Sequence, residues 1–257
     1  MDERLIAFGK LLDIMDELRE KCPWDKKQTT ESLRNLTIEE AYELADAITL
    51  NDPVEIKKEL GDLLLHIVFY SRIGAEQDEF DIKDVIESIN EKLIYRHPHV
   101  YGDVKVADEN EVKENWEHLK LKQSKKTVLS GVPVSLPALI KANRIQDKVK
   151  GVGFDWEEKH QIWDKVMEEL NELKEEISVA DKNKIESEFG DLFFSLVNAA
   201  RLYDIDPETA LEKTNRKFTR RFNYLESRTM ALGRSLKSMS LDEMNVFWEE
   251  AKKLDDQ

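Results

Sequence analysis

KKELGDLLLHIVFYSR (Lys57–Arg72) and ESEFGDLFFSLVNAAR (Glu186–Arg201) are the two stretches whose likeness decides how this chain folds. Both place apolar residues three and four apart, the pattern of an amphipathic helix. Both carry Glu-x-Gly-Asp at the same point. Just upstream, LTIEEAYELAD from Leu36 precedes the first stretch and VMEELNELKEE from Val166 precedes the second. Glu40 and Glu169, Glu43 and Glu172, Glu59 and Glu188, Gly61 and Gly190, Asp62 and Asp191, and Arg72 and Arg201 all stand 129 positions apart. Beyond these helices the offset changes. Lys92 and Arg96 answer Lys217 and Arg221 at 125, and Trp116 answers Trp248 at 132, so insertions and deletions fall in loops. The chain is a tandem duplication of one helical unit.

The rest of the sequence extends the helical reading. Asp52-Pro53 and Asp206-Pro207 put an N-cap Asp before a first-turn Pro, and Ser240 with Glu243 has capping-box spacing. Helices are expected over about 3–21, 32–50, 53–76, 81–97, 109–123, 137–150, 158–179, 182–203, 207–230 and 241–254. No stretch alternates convincingly like a strand. Ser124–Pro137, with Gly131 and Pro133, reads as a linker. The expected fold is all-α: an N-terminal helical unit over 1–123, a linker over 124–136 and a C-terminal unit over 137–257, each a helical bundle.

Composition narrows the function. The chain has 257 residues, 54 acidic and 39 basic, for a formal charge of −15. Such a balance argues against a nucleic-acid polymer as partner, because phosphate backbones demand clustered positive charge. Hydrophobic residues make up 40%, enough for a real core, and Gly and Pro are few. The single cysteine, Cys22, forms no disulfide framework or multi-Cys zinc site and suits a reducing compartment. No apolar run reaches the ~20 residues of a membrane span. Met1-Asp2-Glu3-Arg4 does not have the shape of a signal peptide. A cytoplasmic location is expected.

Chemistry concentrates in the acids. Glu169 and Glu172 lie about 60° apart around a helix, as do Glu188 and Asp191. If consecutive helices pack antiparallel, the four carboxylates converge. Close anions repel and stay partly protonated unless a cation compensates, and oxygen ligands suit Mg²⁺ or Mn²⁺. On so acidic a chain, a lone copy would read as a solvated helix face. Against that reading, the arrangement occurs twice with identical spacing. The acids also adjoin apolar residues, and Gly61 and Gly190 sit inside helices, where Gly costs about 1 kcal/mol relative to Ala. A glycine there suits close approach of something to the backbone.

Glu-Glu-x-x-Glu followed by Glu-x-x-Asp, duplicated in a chain of this size, resembles the MazG family of nucleoside triphosphate pyrophosphohydrolases. CPWD (Cys22–Asp25), RHPHVYGD (Arg96–Asp103), LPALIKANRIQ (Leu136–Gln146), VGFDW (Val152–Trp156) and NRKFTRRF (Asn215–Phe222) extend the likeness over nearly the whole chain. The resemblance implies an all-α fold related to the dimeric dUTPases, a homodimer and Mg²⁺ dependence. It also implies hydrolysis of an NTP or dNTP to monophosphate and diphosphate, by water attack at the α-phosphorus. It places Glu169, Glu172, Glu188 and Asp191 on the metal, with Glu168 as a further catalytic candidate. Lys217 and Arg221 stand at the family's phosphate-binding pair, and Trp248 at a substrate contact. Phe154 and Trp156 are candidates for stacking on the base, and Asn198 for a polar group beside the site. In the N-terminal half Glu39, Glu40, Glu43, Glu59 and Asp62 form a possible second metal site. There Pro98 should end the preceding helix early and reshape the phosphate side. From the resemblance, the C-terminal half is expected to carry most activity.

Three rivals fit less well. A di-iron bundle wants Glu-x-x-His from two helices, and only Glu157–His160 has that spacing. No Gly-x-x-x-x-Gly-Lys-Ser/Thr occurs, so there is no P-loop. A non-catalytic module docking a basic partner through its acidic faces is the alternative function. Full retention of the carboxylate pattern disfavours it.

Overall fold

Asp, Ser and Thr side chains set where many of the helices begin. In the computed structural model, which describes residues 2–255 apart from 107, 109, 110, 113, 114, 117, 118 and 120–126, α1 (Glu3–Lys21) opens on Asp2. Its carboxylate accepts from the Arg4 amide. Reciprocal capping boxes start α2 (Thr30–Leu50) on Thr29 and Ser32, and α4 (Ile82–Arg96) on Asp81 and Asp84. Asp52 caps α3 (Pro53–Glu76), with Pro53 in the first turn. Pro98 starts the short α5 (Pro98–Tyr101), so the helix before it stops at Arg96, as the sequence implies.

The chain divides into two units between Trp116 and Glu117. The second unit contains α6 (Ala138–Lys150), α7 (Ile162–Val179), α8 (Lys182–Leu202), α9 (Pro207–Ala231) and α10 (Leu241–Asp255). Asp181 caps α8, and Asp206 caps α9 ahead of Pro207. Ser240 and Glu243 close their box at the start of α10. No strand occurs among the described residues, and the fold is all-α as expected. The helix expected over 109–123 lies largely outside the described residues, as do positions 124–126 of the expected linker. Further along that linker, Val128–Gly131 makes a 3₁₀ turn.

Duplication extends to the turns. Asn51 ends α2 and Ala180 ends α7, each left-handed with φ of 54° and 61°, and an N-cap Asp follows each. This two-residue connection brings α3 back along α2 and α8 back along α7, the two most extensive helix pairings among the described residues. In the first unit α1 and α4 also pack on α3, around a core of Met15, Leu33, Val68, Phe69 and Ile73. In the second unit α6 lies on α8 and α9, and α9 pairs with α10. Its buried cluster is Ile162, Val166, Ala199 and Leu202.

The seams of the two units are built differently. In the first, buried His66 meets the Thr37 hydroxyl at 2.7 Å, and Tyr70 Oη lies 2.7 Å from the same oxygen. The equivalent positions of the second unit carry Val166, Ser195 and Ala199. Burial pushes the His66 imidazole below its ordinary value, against the pull of Asp62.

One apolar stripe is only partly covered. Val68 on α3 is buried, but Leu60, Leu64 and Ile67 of the same stripe are exposed. Their counterparts Phe189, Phe193 and Leu196 on α8 are exposed as well. A helix with apolar residues over so wide an arc cannot cover all of them with the neighbours its own unit supplies.

Candidate metal centre

Each paired seam gathers three carboxylates. Glu40 and Glu43 from α2 and Glu59 from α3 each offer an oxygen, and these lie within 4.8 Å of one another. Glu169 and Glu172 from α7 and Glu188 from α8 repeat the arrangement under the same limit. Helical spacing brings the first two onto one face, and the tight turn brings the third across. Oxygens on opposite sides of an octahedral Mg²⁺ lie about 4.2 Å apart, so small side-chain adjustments would close either set around an ion.

Electrostatics also fit a cation. Burial pushes the Glu40 carboxyl up, and repulsion from Asp62, Glu43 and Glu59 adds to it. Burial likewise raises Glu188, reinforced by Glu172, Asp191, Glu169 and Glu176. Asp62 and Asp191 are therefore close enough to act on the triads without belonging to them. Glu59 is 3% exposed, and its Oε2 is buried without a hydrogen-bond partner among the described residues. An orphaned buried carboxylate oxygen in an all-oxygen donor set suits a hard divalent ion. Glu43 and Glu172 are exposed, so both clusters open to solvent.

Other candidates fall outside the triads. Glu39 is exposed. Glu168 is exposed too, and its carboxylate holds Lys165 at 2.7 Å. Asn198 Oδ1 accepts a hydrogen bond from Arg201 Nε at 3.0 Å. Gly61 and Gly190 are not crowded: nothing lies within 4 Å of a Cβ built on either. The close approach inferred from sequence does not occur within the chain.

Arg221 and Trp248 meet where α9 pairs with α10. The Arg221 guanidinium lies 6.0 Å from the Trp248 ring, which itself packs 5.0 Å from Phe218. Arg221 is already engaged, donating from Nε to Asp255 at 2.6 Å, and Arg220 donates to the same carboxylate at 2.8 Å. These pairs hold the Asp255 carboxyl below its usual range. Lys217, one turn earlier on α9, is exposed. Phe154 is 79% exposed, on a loop anchored beside it. Burial would raise the neighbouring Asp155 carboxyl, but Arg201 and the Trp156 amide bring it below its ordinary value. Trp156 is only just exposed.

The sequence matches the family described as "MazG nucleotide pyrophosphohydrolase domain" over residues 28–101 and 157–225. The chain belongs to the MazG family. A Thermotoga maritima relative named nucleoside triphosphate pyrophosphohydrolase/pyrophosphatase MazG is 42% identical over 257 residues, covering 98% of both chains. An Escherichia coli nucleoside triphosphate pyrophosphohydrolase is 40% identical over 96% of this chain and 97% of its own. A longer Bacillus subtilis protein, YabN, is 47% identical over 98% of this chain and 53% of its own length. The two family matches contain one carboxylate triad each.

Several residues of this MazG chain were not visible as site elements from sequence. Lys165, Lys58, Asp155 and Asp255 are charges met by partners on a chain with 54 acids, and spacing cannot say which acid a basic residue will choose. Asp155 and Arg201 lie 46 positions apart, too far for any helical rule to join them.

A pH dependence follows from the raised Glu188. A carboxyl whose folded pKa exceeds its unfolded one binds more protons when folded, so stability falls as pH rises through that interval. The cost is fully present above the folded pKa. Glu188→Gln removes one of the repelling charges and should raise the melting temperature at neutral pH without added metal. The gain over wild type should shrink as pH falls through the carboxylate range, as followed by thermal melts across pH 3 to 8.

Proposed function

We propose that this chain hydrolyses a nucleoside or deoxynucleoside triphosphate to the monophosphate and diphosphate, with Mg²⁺ at the Glu169–Glu172–Glu188 cluster and Mn²⁺ able to replace it. The observation that carries the reading is this carboxylate triad, at a seam of two helices in a MazG family member. The names of the Thermotoga maritima and Escherichia coli relatives support the same activity. The expected reaction joins a water oxygen to the α-phosphorus and breaks the bond from that phosphorus to the α–β bridging oxygen. The diphosphate departs with the electron pair, and a nearby carboxylate takes the water's proton. When bound, the ion supplies charge neutralisation of the polyphosphate and Lewis acidity.

The protein's part is to hold and orient. Glu169, Glu172 and Glu188, with Asp191 beside them, bind the cation, and exposed Glu172 borders the side open to substrate. Glu168 lies next to the triad, where it orders water or a second ion. Lys217 and Arg221 receive phosphate charge, for which Arg221 must leave Asp255. Trp248 steadies Arg221 through its ring face, and Phe154 and Trp156 offer aromatic surface to the base. Asn198 supports the site through Arg201. The Glu40–Glu43–Glu59 cluster, with Asp62 and Glu39 adjacent, is a second cation site of the same kind.

The exposed apolar stripes on α3 and α8 suit burial by a second copy, which makes the working form a homodimer. Nucleoside triphosphates and one unpaired cysteine both suit the cytoplasm.

Phosphorus NMR of Mg²⁺ reactions run in ¹⁸O-water tests the chemistry. Diphosphate should appear with the label in the monophosphate; nucleoside diphosphate with orthophosphate, or label in the diphosphate, contradicts it. Glu172→Gln should lower turnover by about a hundredfold, and Glu43→Gln should do so less if the second unit dominates. Asp255→Asn should free Arg221 and lower the KM for nucleotide roughly two- to fivefold, with kcat little changed. Phe193→Lys should shift a dimer toward monomer in sedimentation analysis.

A further inference from the structure

The most buried member of each acidic triad is held by a lysine ammonium. Glu169, whose side chain is 8% exposed, has Lys165 Nζ 2.8 Å from its Oε1, and the same ammonium reaches Glu168 at 2.7 Å. Glu59, with a side chain 3% exposed, has Lys58 Nζ 2.8 Å from its Oε1. A buried carboxylate without a counter-charge is strongly unfavourable, so each pair meets an electrostatic need of the fold.

Duplication did not supply these lysines. The first-unit position that answers Lys165 is Leu36, and the second-unit position that answers Lys58 is Ser187. Lys165 reaches its partner from one turn before it on α7, whereas Lys58 is the chain neighbour of Glu59 on α3. Two unrelated residues therefore perform one task in two copies of the same site. Both lysines have a path out. Their side chains are 37% and 58% exposed, and a four-carbon stem swings an ammonium into water without moving the helix.

Resting on the reading that a divalent ion binds these clusters, we propose that Lys165 and Lys58 are built-in counter-cations that compete with the dication and set the affinity of each site. Binding is then an exchange in which an ammonium leaves its carboxylate as the ion arrives. Glu59 Oε2, buried and unpartnered among the described residues, is the oxygen that the lysine leaves available. Lys165 donates to both Glu168 and Glu169, so one ammonium spans two carboxylates at the edge of the second cluster.

The test is Mn²⁺ binding to the full chain without nucleotide, read from the electron paramagnetic resonance signal of free Mn²⁺. Lys165→Met in a Glu43→Gln background reports on the second unit, and Lys58→Met in a Glu172→Gln background reports on the first. Each lysine variant should bind Mn²⁺ about three- to tenfold more tightly than its background. Lys165→Arg, which keeps the charge, should stay within about twofold. Unchanged or weaker binding in a lysine variant overturns the proposal for that site. If neither Glu43→Gln nor Glu172→Gln weakens Mn²⁺ binding by the otherwise wild-type chain, the cation reading itself falls, and this proposal falls with it.

Discussion

Like charges drawn together at a helix seam are the constraint around which each unit is organised. Three carboxylates sharing a space of 4.8 Å repel one another, and desolvation at the seam adds to the cost. The fold holds them there because the turn between the paired helices is fixed independently of the acids. Asn51 and Ala180 adopt the left-handed conformation that ends one helix, and Asp52 and Asp181 start the next one residue later. Packing along the full helix pair then supplies what the acids withhold. The tension is lowered in part by ammonium groups from within the chain.

The two units meet this constraint on different scaffolds. Around the first cluster, a hydroxyl, an imidazole and a phenol form a hydrogen-bonded set between α2 and α3. In the second, apolar and small residues fill the corresponding seam. The buried carboxylate also changes helix, from Glu59 on α3 to Glu169 on α7. Equal spacing in sequence has thus produced equal convergence of acids but unequal surroundings.

Much of this was legible in the residues themselves. Asp-Pro pairs, capping boxes and three-to-four spacing place most of the helices, because each rule acts within a few positions. The constant offset between the two halves revealed the duplication, and with it which acids deserved attention. Long-range choices were hidden. Arg221 stands at a position that promises phosphate binding, yet it is engaged by Asp255, 34 positions away. Asn198 is a candidate polar group beside the site, and the sequence does not show that Arg201 donates to it. Gly61 and Gly190 suit a close approach to the backbone, and no group of the described chain makes it. Periodicity reports which face a residue shares, but it cannot report which neighbours arrive there.

The loop carrying Phe154 shows what such a neighbour can do. Arg201, whose side chain is 7% exposed, grips Asp155 through two nitrogens, and the Phe154 amide donates to the Val149 carbonyl at 3.0 Å. Gly153 takes the positive φ of 85° that the bend requires. The aromatic ring beyond this anchor stands in water on a backbone whose freedom was surrendered when the chain folded. A molecule that settles on the ring therefore meets a rigid shelf and is spared the entropic toll of stiffening a floppy one.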